Sequence, residues 1–176
     1  EPSMETLSFV LISAPVCFIL GLGFGIWGYL NKTVEGALQP ILNCMQTLPH
    51  FSYLVPVMVL FGVGDHAGAI ATIIFATPPM IRLTILGLRK ISPEIVDSGL
   101  MSGCNKTQLL FKVLIPTARR DILIGVNQVI MQCLAMTTIA AFIGAKGLGF
   151  NLKVALNSLE IGKASEIGLC VVLIAV

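Results

Sequence analysis

The chain has 176 residues, of which 56% are hydrophobic and only 11% charged, with a net charge of +2. A soluble domain carries about 25% charged residues, so this composition excludes an ordinary water-soluble fold, and so small a net charge gives nucleic acid no footing. The charges are also clustered: no Asp, Glu, Lys or Arg lies between Glu5 and Lys32, Glu35 and Asp65, or Asp121 and Lys146, and each gap exceeds the roughly 20 residues that carry a helix across a bilayer.

The first expected span runs from Leu7 to Leu30. The second covers Thr33 to Val63, with kinks at Pro40, Pro49 and Pro56, since each proline removes an internal donor. Asp65 and His66 mark a turn, and a third span follows from Gly68 to Leu88 around Pro78-Pro79. The charged segment Arg89–Asp121 comes next, then a fourth span over Ile122–Ile143. A Gly-rich loop and short amphipathic piece, Gly144 to Lys163, lead to a fifth span that the sequence cuts off. The chain begins at Glu1 and ends at Val176 inside an apolar run, so it reads as a fragment, residues 1–176 forming one all-α polytopic membrane domain.

Orientation follows from the basic residues. Lys32, Arg82, Arg89, Lys90, Lys106, Lys112, Arg119 and Arg120 fall on one side of the alternating spans, against Lys146, Lys153 and Lys163 on the other. That bias places 89–121 in the cytoplasm. The five cysteines are widely spaced and include no CxxC pair, so they suggest neither a metal site nor a disulfide framework.

Residues 92 to 116 read as two short helices with a sharp turn between them. Ser92 suits the N-cap, Pro93 the first helical position and Glu94 the positive helix end. Gly103 can take the left-handed conformation that ends a helix. Asn105 and Gln108 have the spacing of a capping box, and Pro116 is expected to break the chain before the fourth span. Ser98, Gly99 and Ser102 have little bulk, Val96 and Leu100 form one apolar ridge, and Asp97 adds a carboxylate. Such a helix suits insertion into a partner's groove, or lies on the lipid surface as an ordinary amphipathic piece.

Asp97-Ser98-Gly99, three residues, Gly103, nine residues and Val113-Leu114-Ile115-Pro116 resemble the cytoplasmic loop of ABC importer permeases, written E-A-A, three residues, G, nine residues, I-x-L-P. Asp replaces Glu, Ser-Gly replaces Ala-Ala, and Val and Ile replace Ile and Leu. Gln46-Thr47-Leu48-Pro49, Leu54-Val55-Pro56, Phe61-Gly62-Val63-Gly64, Pro78-Pro79-Met80-Ile81-Arg82-Leu83-Thr84, Gly125-Val126-Asn127-Gln128 and Gly147-Leu148-Gly149 extend the resemblance to glycine betaine/proline betaine permeases over nearly the whole chain.

The resemblance implies a five-span permease core, a bacterial inner-membrane location, and uptake of glycine betaine, proline betaine, choline or a related methylated amine. It also implies two ATPase subunits that hold ATP and Mg, a second permease copy, and a substrate-binding protein or fused binding domain. Residues Asp97 to Gly103 would contact the ATPase, with Val113, Ile115 and Pro116 completing the loop. A permease for another small solute, such as an amino acid, and an ion-coupled secondary transporter remain as alternatives. The second needs intramembrane ionisable residues, of which the spans have almost none.

Other patterns point away from enzymatic chemistry. Gly23-Phe24-Gly25-Ile26-Trp27-Gly28 fits G-x-G-x-x-G but lies within an uncharged run, so it reads as close helix packing, as do Gly21/Gly25 and Gly64/Gly68. No P-loop or H-E-x-x-H occurs. Arg82 either snorkels to the inner surface or lines the inner mouth of a pathway. Asn127, Gln128 and Gln132, with Thr137 and Thr138, either bond other helices or line the route, and Met131 and Met136 either pack or gate it. With one Trp and two Tyr, no aromatic cage for a quaternary amine is evident.

Overall fold

In the computed structural model, which describes residues 2–141, 144–145 and 147–175, ten α-helices and one π-helical turn account for the elements, with no strand among the described residues. Among the described residues three helices are each long and apolar enough to cross a membrane, α1 (Pro2–Leu30), α4 (Asp65–Arg89) and α8 (Arg119–Ala140), and the bent pair 32–47 and 51–61 makes a fourth crossing if it acts as one broken span. The shortest of the three has 22 residues, which at 1.5 Å per residue spans the roughly 30 Å hydrocarbon core. Pro15 in α1 and the Pro78-Pro79 pair in α4 are absorbed within their helices.

The second expected span is not one kinked helix. It divides into α2 (Lys32–Thr47) and α3 (Phe51–Phe61), bent by 100°. Pro49 explains the position of the break. A residue before proline is pushed out of the helical region, and Leu48 is extended at φ −71°, ψ 137°. Pro40 and Pro56 stay inside α2 and α3. After α8 the chain forms α9 (Leu148–Asn157) and α10 (Ile161–Ala175). The expected fifth span corresponds to α10, whose 15 residues fall short of a crossing. Ile143 and Lys146, used above for a span end and for orientation, lie outside the described residues.

Helices α1, α4 and α8 form the packed centre. In lipid no hydrophobic force drives helices together, so close van der Waals contact through small residues must do so. Gly21, Gly25 and Gly28 give α1 a flat edge, and Met80, Thr84 and Ile85 of α4 lie against it. Met80 also abuts Gly125 of α8, where an added Cβ would stand 2.7 Å from its Sδ. The fully buried Met80 therefore plugs the junction of three helices. The glycine run of α1 is a packing surface, as its composition suggested. Gly23, on the other side, faces open space, and Gly68 packs on Ala140 and Ala145.

This edge makes a sharp prediction. A Cβ at Gly25 would stand 2.6 Å from Thr84 Cβ and 3.2 Å from the Ile81 carbonyl oxygen. Gly25→Leu is expected to destabilise the chain by about 1–3 kcal/mol through overpacking. Gly23→Leu, with nothing within 4 Å, serves as the neutral control. Thermal unfolding of the purified protein in detergent measures the difference, and equal midpoints would refute the packing account.

Candidate functional site

The segment between α4 and α8 folds as a helical hairpin. Its first arm is α5 (Pro93–Met101), with Pro93 at the first turn and Glu94 near the positive end. Ser92 is extended, yet its side chain makes no capping bond, contrary to expectation. Gly103 ends the arm at φ +80°, where the Gly103 N–H donates to Leu100 O (3.0 Å) and the Cys104 N–H to Gly99 O (3.3 Å). The second arm opens with the expected capping box. Gln108 N–H donates to Asn105 Oδ1 (2.8 Å), and Asn105 N–H donates to Gln108 Oε1 (3.1 Å).

Pro116 does not break the chain. The second arm runs as α6 (Lys106–Gln108), a π-helical turn (Leu109–Leu114) and α7 (Ile115–Thr117), and α8 follows after Ala118. A proline inside an α-helix lacks one donor and presses on the carbonyl four residues earlier. The wider π turn immediately before Pro116 gives that ring room. The helical path thus bends at the proline and continues into the membrane helix.

Gly99 explains why the two halves of the motif keep their spacing. It is the one buried residue of α5, and an added Cβ would lie 2.6 Å from Leu109 Cδ1 and 3.4 Å from Val113 Cγ2. Gly99 therefore seats α5 on the π turn and is not itself an outward contact. Asp97 and Ser98 are exposed, as are Gly103 and Pro116, while Val113 and Ile115 are half-buried. Glu94, Ile95, Ser98, Gly99, Ser102, Cys104 and Val113 line a shallow groove along the hairpin.

The hairpin's base is fastened by charge. Lys90 Nζ donates to Asp121 Oδ1 at 2.9 Å, joining the end of α4 to the start of α8. Arg89 pairs with Glu35 of α2, whose side chain is only 10% exposed. Sequence reasoning missed the second pair. Its available signal was Glu35 itself, an acid standing between two long charge-free runs.

The polar residues of the fourth span separate into two groups. Thr137 and Thr138 spend their hydroxyls on the carbonyls of Cys133 (2.7 Å) and Leu134 (3.2 Å), within their own helix. Met136 is fully buried. Asn127, Gln128 and Met131 are instead exposed on one side of α8, beside half-buried Gln132. Arg82 reaches to α2: its Nη2 donates to Asn43 Oδ1, and its Nε is buried without a hydrogen-bond partner. His50, Tyr53 and Phe75 cluster, but with ring centroids 4.3 Å and 5.5 Å from Phe75 they fill one another's faces and leave no cage.

Comparison with known proteins gives this arrangement a context. The family model described as "Binding-protein-dependent transport system inner membrane component" matches residues 17–176. The chain is 62% identical over its full length to the trimethylamine N-oxide transport system permease protein of Pelagibacter ubique, covering 24% of that protein. It is 39% identical, again over its full length, to the glycine betaine transport system permease protein of Bacillus subtilis, covering 62% of it. The chain thus spans between about a quarter and three fifths of these relatives. Among solved structures, an inward-facing methionine ABC transporter superposes with a TM-score of 0.84 at 20% identity, over 98% of this chain and 87% of the other.

Proposed function

Because the chain belongs to the family of binding-protein-dependent transport system inner membrane components, we propose that it is the membrane-spanning part of an ATP-driven importer for methylated amines. Trimethylamine N-oxide and glycine betaine are the leading solutes. Both appear in the names of relatives that match the full chain, and the greater identity, 62% against 39%, favours the N-oxide. Both solutes carry a methylated, positively charged nitrogen and a negative oxygen.

The observation that carries the reading is the hairpin at 92–118. Its first helix packs chiefly on the π turn, with Val96 against the edge of the core cluster, and Asp97 and Ser98 are exposed. That is the shape of an element made to enter a partner's cleft. In this reading the hairpin is cytoplasmic and the partner is a separate ATPase subunit, which holds ATP and Mg. Closure of two such subunits moves the hairpin, and the helical path through Pro116 carries the motion into α8. A second permease copy covers the exposed side of α8, where Asn127, Gln128 and Met131 border the route with Gln132. Polar groups on a membrane helix need such cover, because lipid offers them no hydrogen bonds. A binding protein or fused binding domain supplies most of the selectivity for the amine.

The test is uptake by the whole transporter in a host lacking other osmolyte importers. Trimethylamine N-oxide is expected to accumulate only when this chain, ATP and the binding protein are all present. Accumulation that survives ATP depletion but stops when the ion gradient is collapsed would replace the reading with an ion-coupled carrier.

A further inference from the structure

Three cations lie on the second half of α4 and its C-cap, and two of them are neutralised by carboxylates. Arg89 pairs with Glu35 and Lys90 with Asp121. Arg82 has no carboxylate partner among the described residues. It gives one hydrogen bond to the neutral side chain of Asn43, and its Nε is buried with nothing to accept from it. Arg82 precedes Arg89 by seven residues, which sets it about 10 Å further along the helix axis, inside the span. A guanidinium at that depth without a counter-charge is expensive, and it faces a bundle interior or a water-filled path when it occurs.

The direction it faces can be read from its neighbours. Met80 and Thr84 hold α4 against α1. At 3.6 residues per turn, Arg82 stands on roughly the opposite side of α4 from Met80. Asn43 of α2 borders it there, and Leu86, one turn further on, is exposed. The guanidinium thus sits at an open flank of the bundle, away from α1, with donors to spare.

We infer that Arg82 is a specificity-determining contact for the negative end of a zwitterionic methylated amine, the oxide oxygen of an N-oxide or the carboxylate of a betaine. This rests on the transport reading above and names the part of the solute that this residue recognises. Asn43 holds the guanidinium in place by accepting from Nη2. The remaining N–H groups form a planar fork suited to one or two anionic oxygens. The same charge repels the methylated nitrogen, so the solute is oriented with its oxygen toward α4. It also disfavours solutes that carry only the positive charge, such as choline. A surface of aromatic rings cannot make that distinction, because cation–π attraction acts on the nitrogen alone.

The experiment uses the whole transporter, with its ATPase and binding protein, in proteoliposomes. Uptake of labelled trimethylamine N-oxide, glycine betaine and choline is measured beside ATP hydrolysis in the same vesicles. Arg82→Gln is expected to lower uptake of both zwitterions per ATP at least about tenfold, the loss of one charge-assisted contact. Choline uptake is expected not to fall, and binding-protein-stimulated ATP hydrolysis to persist. Arg82→Lys keeps the charge and is expected to retain a third or more of zwitterion uptake. An unchanged uptake ratio in Arg82→Gln would overturn the inference. So would equal loss of all three solutes together with ATP hydrolysis in both variants, which marks a purely structural arginine. If wild-type vesicles accumulate neither zwitterion, the transport reading fails, and this inference falls with it.

Discussion

Replacing Gly99 by leucine is expected to lower solute uptake per ATP hydrolysed by about 10–100-fold, the span of a typical coupling free energy between sites. The reason is geometric. The new Cβ would meet Leu109 Cδ1 at 2.6 Å and Val113 Cγ2 at 3.4 Å, so α5 must lift from the π turn. That contact sets the angle at which Asp97 and Ser98 are presented, and α5 packs chiefly on that turn. Insertion and bundle stability should therefore stay near wild type while the transmission of force fails. Gly103→Pro tests the same linkage from the other end. Proline fixes φ near −65°, and Gly103 sits at +80°, so the turn between the arms cannot form as it stands. Uptake and hydrolysis measured together in proteoliposomes separate loss of coupling from loss of protein. Normal uptake by both variants would remove the hairpin from the coupling route.

How far the sequence foretold this site depended on whether the cause was local. Gly103, Asn105 and Gln108 act within a few residues of themselves, and the turn and capping box form as their spacing implied. The three long apolar helices were equally legible, because lipid demands a continuous hydrophobic run. The break at Pro49 was visible as a proline, but its 100° angle was not, since Pro40 and Pro56 carry the same local signal and remain helical. Pro116 shows the reverse case: the residue called for a break, and a π turn placed just before it absorbed the strain. Gly99 looked like part of an outward face made of small residues. Its burial depends on Leu109 and Val113 folding back across the turn, a contact between segments that no periodicity reports. Arg82 was recognisable as an intramembrane charge, but its neighbour Asn43 lies 39 positions away.

Arg89→Ala is expected to destabilise the chain more than Glu35→Ala, although both remove the same ion pair. The Glu35 side chain is 10% exposed and that of Arg89 is 47% exposed. Removing one member of a buried pair costs about 3–5 kcal/mol because the other charge is stranded. Screening at the half-exposed arginine reduces this, so about 1–3 kcal/mol is expected for Arg89→Ala. Glu35→Ala strands only an arginine that can turn to water, and about 0–1 kcal/mol is expected. The double variant should recover most of the difference, since neither charge then remains unpaired. The effect should be felt at α2 in particular. That helix meets α4 through a small apolar cluster of Leu42, Ile81 and Ile85 with Leu38 beside it, the Arg82–Asn43 bond and the Arg89–Glu35 pair. The pair sits at the α2 end that adjoins the hairpin base, so its loss loosens that end first, while the packing of α2 on α1 still holds the rest of the helix. Thermal unfolding of the purified protein, with protease or hydrogen-exchange mapping of residues 32–47, reads both consequences. Equal losses for the two single variants would show that water reaches Glu35 as freely as Arg89, and would reduce the pair to an ordinary surface contact.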